Sequence, residues 1–218
     1  MWIFNRPLPI QLAVIEIENL QVTDSQEAFQ MLEVTGESYR LQNRGLEISE
    51  VYGVQNARQF FRAIGLDPTK RRPSSESLLR RALKNKGFYS VNSLVDTGNW
   101  CSLDFLLPIC IYDADKIEGD VDIRMGDEDD IYEALNGETI SFEGRYVFVD
   151  DQGAFGSPMT DSKRTAVSES TQHAYLIIFA PINFDEETLK ENADLFVERV
   201  QATCGGSCNE NRTLKGQR

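Results

Sequence analysis

Between Arg71 and Leu103 the chain reads RRPSSESLLRRALKNKGFYSVNSLVDTGNWCSL, a segment dense in groups that can grip an anion or line a polar pocket. From Asp67 to Lys86 seven cations (Lys70, Arg71, Arg72, Arg80, Arg81, Lys84 and Lys86) face two acids, a local balance of +5 on a chain of net charge −13. The whole-chain charge repels nucleic acid, so this basic island suits a small, local phosphate contact better than a long groove. A solvated basic helix face accounts for it equally well. Further along, Asn92, Asp96 and Asn99 recur at spacings of four and three beside Leu94 and Val95. Polar groups so placed line a pocket or complete a turn.

Other chemistries fare worse. A lone histidine, His173, excludes HExxH and any multi-histidine metal centre. Phosphate-binding GxxxxGK[ST] and GxGxxG loops are missing from the sequence. DADKIEG, from Asp113 to Gly119, begins like a calcium loop but fails at its fifth position, Ile117, and its twelfth, Arg124. GDEDD, from Gly126 to Asp130, is an acidic run of the kind that forms solvated turns. Cys101 and Cys110 sit in apolar surroundings and read as buried thiols, and no spacing favours either as the partner of His173 in a nucleophilic pair. Cys204 and Cys208 flank GGS in a polar stretch with no second cysteine pair, which reads as a mobile tail. No metal and no cofactor is expected.

The elements that must position these groups follow from periodicity. MWIFNRPLPIQLAVIEIENL is interrupted by Arg6, Pro7 and Pro9 and lacks a small-residue cleavage site, so it predicts a first strand rather than a signal peptide. Its even residues Leu12, Val14, Glu16 and Glu18 alternate with Ala13, Ile15 and Ile17. Helices are predicted from Asp24 to Glu33, from about Ser49 to Ile64, over 73–86 and through NSLVDTGNWCSLDFLL to Pro108. Pro73 fits the first helical position, with Ser74 or Ser75 as cap and Glu76 in the first turn. Strands follow at PICIYD and DVDIRM, with a hairpin at Glu143–Gly144 and a central strand at HAYLIIFAPI. An amphipathic helix capped by Asp185 buries Leu189, Ala193, Phe196, Val197 and Val200.

Early helices, later strands and a closing helix predict an α+β fold: a helical N-terminal half, a mixed or antiparallel sheet and a C-terminal helix. With 218 residues, 41% hydrophobic and 26% charged, the chain has the makings of an ordinary globular protein. No apolar run reaches membrane-spanning length, so no membrane partner and a cytoplasmic location are expected. One domain of two intimately packed lobes is expected over 1–203, followed by a polar tail over 204–218.

Four segments in order carry a family resemblance: RPSSESLLRR from Arg72, NSLVD from Asn92 with Asn99, YDADKI from Tyr112 with Gly119, and RTAVSEST from Arg164. Together they resemble the tRNA-binding and editing domain of the phenylalanyl-tRNA synthetase beta chain, its third and fourth B-domains, in free-standing form. The resemblance runs roughly from Leu12 to Cys204. Nothing resembles a synthetase catalytic core.

In the synthetase this domain hydrolyses tyrosine wrongly attached to the tRNA for phenylalanine. The resemblance therefore implies hydrolysis, in trans, of an aminoacyl ester at a tRNA 3′ end, with no DNA partner. Such an ester needs a held water, donors for the developing oxyanion and a snug pocket rather than a covalent nucleophile. The catalytic positions implied are Asn92, Asn99, Glu169 and Thr171. Asp96, Leu94, Cys110, Lys163, Arg164, Thr165 and Ser168 would hold the aminoacyl group, with Asp96 or Glu169 on its ammonium. Arg72, Arg80, Arg81 and Lys84 would contact RNA phosphates. Each has a structural alternative: Asp96 as a helix cap, Glu169 paired with Arg164, 113–116 as a turn.

Three departures weaken the transfer of tyrosine specificity. Cys110 stands where the synthetase has a histidine. Lys163 falls where a glutamate reads the tyrosine hydroxyl, although a short gap could move it. A basic pocket residue is missing near Tyr89 and Ser90. A site without its polar reader selects a hydroxyl poorly. Two other functions remain open: a non-catalytic module for tRNA or other RNA, and a pocket for a free amino acid or related metabolite.

Overall fold

The computed structural model describes residues 1–217. Strand β1 (Trp2–Phe4) and the long β2 (Ile10–Leu20) lead into four helices: α1 (Glu27–Gln42), α2 (Val54–Ala63), α3 (Ser74–Leu83) and α4 (Ser93–Phe105). Eight strands follow: β3 (Ile109–Asp113), β4 (Val121–Met125), β5 (Ile131–Glu133), β6 (Thr139–Ser141), β7 (Tyr146–Asp150), β8 (Gly153–Ser157), β9 (Thr160–Asp161) and β10 (His173–Pro181). Helix α5 (Glu186–Cys204) and strand β11 (Gly205–Lys215) close the chain. The fold is α+β, as the order of elements predicts. No helix among the described residues is long and apolar enough to cross a membrane.

A four-stranded antiparallel sheet, ordered β11-β2-β10-β3, forms the centre. Both its faces are covered, which explains why β2 and β10 are almost continuously apolar. Leu12, Val14, Cys110, Tyr112, Ile177 and Phe179 share one face and pack with α2 and a second sheet. Ala13, Ile15, Ile17, Leu176 and Ile178 share the other and pack with α4 and α5. The second sheet is mixed and ordered β1-β4-β7-β8-β9, with β1 parallel to β4. Aromatic rings fill the space between the sheets, with Phe148 stacked on Phe179 at 5.7 Å between centroids. Helix α4 reaches the central sheet closely at Gly98, where a Cβ would lie 2.6 Å from Ile111 Cδ1.

Asp185 caps α5 as its sequence position indicates, accepting from the Thr188 amide at 2.8 Å. Asp185→Ala should therefore lower the urea midpoint, the ordinary consequence of a lost cap. The buried stripe of α5 is the predicted one, with Val197 partly buried.

Four expectations are corrected. Helix α1 runs nine residues past Glu33 because tertiary contact replaces periodicity: Gly36 is buried, and the Tyr39 hydroxyl donates to the Asp104 carbonyl at 3.1 Å. Pro73 occupies the N-cap rather than the first helical position, and neither Ser74 nor Ser75 caps α3. The turn at Glu143–Gly144 joins two sheets instead of forming a hairpin, since β6 pairs with β5 while β7 pairs with β4 and β8. The polar tail is strand β11, which pairs along β2 from Gly205 opposite Leu20 to Lys215 opposite Gln11. Its alternating half-buried and exposed residues hide the strand, because backbone bonds to β2 rather than an apolar face hold it. Cys204 is thus buried at the end of α5, 3.1 Å from the Ser93 hydroxyl.

Candidate functional site

The polar residues that open α4 are structural. Asn92 is extended and caps the helix, its side chain accepting from the Val95 amide at 2.9 Å. Asp96 is fully buried and accepts from the Ser90 hydroxyl at 2.6 Å and the Val91 amide at 3.0 Å. Its carboxylate is occupied by the turn before α4, while Asn92 rather than Asp96 caps the helix. Leu94 lies in the core under the α5 side of the central sheet, and Asn99, two turns beyond Asn92, is half-buried. These residues and Cys110 do not share a cleft. Ile109 and Ile111 of β3 face the α4 side while Cys110 and Tyr112 face the second sheet, so the sheet itself separates them.

The downstream segment is tied to the end of β3. Thr171 donates to Asp113 Oδ2 at 2.8 Å and accepts from the Ser168 amide at 2.9 Å. The Asp113 amide donates to the Thr165 carbonyl at 2.9 Å, and Lys116 bridges Asp113 and the Ala166 carbonyl. Thr165 is buried, its hydroxyl 2.9 Å from that of Ser162. Ser168 and Glu169 are exposed on this loop. Arg164 is not free to grip a phosphate. Its guanidinium meets both oxygens of the buried Asp150 at 2.8 and 2.9 Å and also donates to the Lys116 carbonyl. The alternative of a Glu169–Arg164 pair gives way to an Asp150–Arg164 pair. Lys163 points outward to Glu133 in an exposed pair.

Between these layers lies a polar cluster that the sequence reading caught only at Cys110. The Cys110 thiol donates to the Ser157 carbonyl at 3.4 Å. The Tyr132 hydroxyl donates to the Thr160 carbonyl at 2.6 Å and lies 3.2 Å from the Ser157 hydroxyl. Tyr112 packs its hydroxyl against Gly156, where a Cβ would stand only 2.5 Å away, so β8 needs glycine there. Asp161 lies beside Cys110 and Tyr112, and burial raises its carboxyl to about 6 although the neighbouring hydroxyl and thiol pull the other way. Asp161 Oδ1 and the Tyr112 hydroxyl are both out of solvent's reach with no hydrogen bond of good geometry to the protein. Such groups are costly unless satisfied, and they concentrate at functional sites. No local pattern in SPMTDSKRT marks Asp161, because the packing of the second sheet on the central one, rather than spacing, brings it to Cys110.

Cys110 and Cys101 are poorly suited to act as nucleophiles. Burial drives the Cys110 thiol well above its ordinary value, and Cys101 is pushed up to about 12. His173 stands opposite Glu18 on β2, whereas Cys110 stands opposite Ile177, four residues further along β10.

The basic island is largely committed to the fold. Arg58, Arg72 and Arg80 converge on the buried Glu76 at 2.7, 3.6 and 4.0 Å. Arg81 donates to the Gly87 and Lys86 carbonyls and lies 4.4 Å over the Tyr89 ring. Lys84 is the C-cap of α3. Arg81 also lines an open cleft of about 390 Å³ with Glu33, Glu37, Asn85 and Phe88, between α1 and α3.

Comparison with known proteins places these observations. Residues 56–195 match the B3/4 domain. A stretch of 107 residues is 32% identical to the phenylalanine–tRNA ligase beta subunit of Neisseria meningitidis serogroup B, covering 48% of this chain and 14% of that protein. The same subunit from Bartonella quintana is 31% identical over 104 residues, covering 47% of this chain and 13% of that protein. The chain thus spans a small part of the length of these relatives. An N-terminal fragment of the phenylalanyl-tRNA synthetase beta-subunit from Pyrococcus horikoshii aligns over 93% of this chain and 49% of its own, with 13% identity and a TM-score of 0.47.

Proposed function

This chain belongs to the B3/4 domain family, and we propose that it hydrolyses, in trans, the ester of a mischarged aminoacyl-tRNA. The observation that carries this reading is the cluster of buried Cys110, Tyr112 and Tyr132 with half-buried Asp161, beside the loop that Asp113 and Thr171 fasten to β3. A bound aminoacyl group would complete the hydrogen bonding of Asp161 Oδ1 and the Tyr112 hydroxyl, neither of which has a well-aligned partner in the protein. Asp161 sits two residues before Lys163, so an acid is present near the position where the family has its hydroxyl reader. At neutral pH a carboxyl that titrates near 6 is mostly ionised and can receive an ammonium or a hydroxyl.

The reaction is water attack on the ester carbonyl with the tRNA ribose hydroxyl leaving. Glu169 and Ser168, exposed on the fastened loop, are the groups available to hold that water, and Thr171 positions the loop through Asp113. Asn92 acts on the fold rather than on the substrate. RNA contact falls to Lys84, Arg81 and the exposed parts of Arg72 and Arg80, a small footprint in keeping with the acidic chain.

That commitment of Arg72 and Arg80 to Glu76 favours one second reading, a pocket for a free amino acid. A thermal-shift screen of amino acids without RNA separates the two. Stabilisation by an amino acid, together with no ester loss from any charged tRNA, supports the second and overturns the first.

A further inference from the structure

The fold builds a three-ligand site that the lone histidine hides at the level of sequence. Glu16 and Glu18 are two apart on β2 and so point to the same side of the sheet. Antiparallel register sets His173 of β10 directly opposite Glu18, and Tyr175 opposite Glu16. His173 Nε2 lies 2.9 Å from Glu16 Oε1 and 4.0 Å from Glu18 Oε1. One donor atom from each of the three residues falls within 4.8 Å of the others, and all three are half-buried. The other ring nitrogen, Nδ1, lies 3.1 Å from Asp115 Oδ1.

We propose that Glu16, Glu18 and His173 bind a divalent first-row transition ion, best represented by Zn²⁺, with Asp115 as the outer carboxylate that orients the imidazole. Three features separate this cluster from a surface patch of acids. It contains an imidazole, the donor that zinc, nickel and copper prefer over magnesium or calcium. A carboxylate on Nδ1 directs Nε2 toward the two glutamates, the outer-shell arrangement found behind metal-bound histidines. Its ligands also stand on adjacent paired strands of a covered sheet, so binding needs side-chain rotation alone. Zinc bonds of about 2.0–2.2 Å would draw the donors together, and the half-buried position leaves water access to a fourth site. Charge supports the assignment: three carboxylates surround one imidazole, and the Tyr175 hydroxyl donates to Glu16 at 3.3 Å.

The test titrates the intact, metal-stripped protein with zinc chloride in isothermal calorimetry, with melting temperature read in parallel. Saturable one-to-one binding is expected. His173→Gln and Glu18→Gln should each abolish it or weaken it at least tenfold, and Asp115→Asn should weaken it about tenfold. Circular dichroism confirms that each variant is folded, and Glu18, 45% exposed, tolerates the change if His173 does not. Cys208→Ser should leave binding unchanged, since Cys208 pairs with Ile17, a neighbour of Glu16 and Glu18 that points to the other face. No saturable binding overturns the proposal, as does binding that survives both His173→Gln and Glu18→Gln.

Discussion

Arg164→Ala should shift the urea midpoint far below that of the unmodified protein, a loss of about 3–5 kcal/mol. The size follows from the partner left behind. Asp150 is buried, and besides the Arg164 guanidinium its carboxylate accepts from the Glu118 and Gln152 amides. Removing the cation leaves an uncompensated buried charge at the joint between β7 and the loop that carries Thr165. Asp150→Asn should recover part of the loss in the double variant, because it neutralises the orphaned charge. An Arg164→Ala protein of unaltered stability but weakened tRNA binding would return Arg164 to the role of a phosphate ligand.

Asp161→Asn should gain stability relative to the unmodified protein as pH rises from 4 to 8. Unfolded, this carboxyl releases its proton near 3.8; folded, burial holds it to about 6. The folded state therefore binds more protons than the unfolded state between those values, and stability falls as pH rises through that window. Two units correspond to roughly 3 kcal/mol. An amide cannot ionise, so the difference between variant and parent should move by about that amount in the variant's favour between pH 4 and pH 8. Urea titrations at the two pH values measure it, and a pH-independent difference would show that Asp161 is not held in an ion-averse place. If the proposed function is right, this stabilising change also removes activity, the trade found where a strained site serves catalysis.

Much of the fold was legible because it rests on local physics. The alternation in β2, the apolar run of β10 and the stripe and cap of α5 each follow from period and capping chemistry, and each lies where predicted. β11 was not legible, since it has no apolar face and owes its form to the free edge of β2. The candidate site was legible as a set of segments but not as an arrangement. Asn92 and Asp96 carry the residue types of a pocket, yet a cap and a turn use the same types, and local hydrogen bonding claimed them. Asp161 and the Glu16–Glu18–His173 group escaped notice because sheet packing assembles the first and strand register the second, not spacing. Arg164 carries the residue type of a phosphate contact, but its partner in the fold is Asp150, fourteen residues upstream.

The most direct test of the central claim incubates the purified protein with a panel of mischarged aminoacyl-tRNAs and follows loss of the ester, with Asp161→Asn as the folded control. Faster deacylation of at least one pair, lost in Asp161→Asn while the variant melts no lower than its parent at pH 8, is the predicted result. Ester loss no faster than the uncatalysed rate for every pair would contradict it.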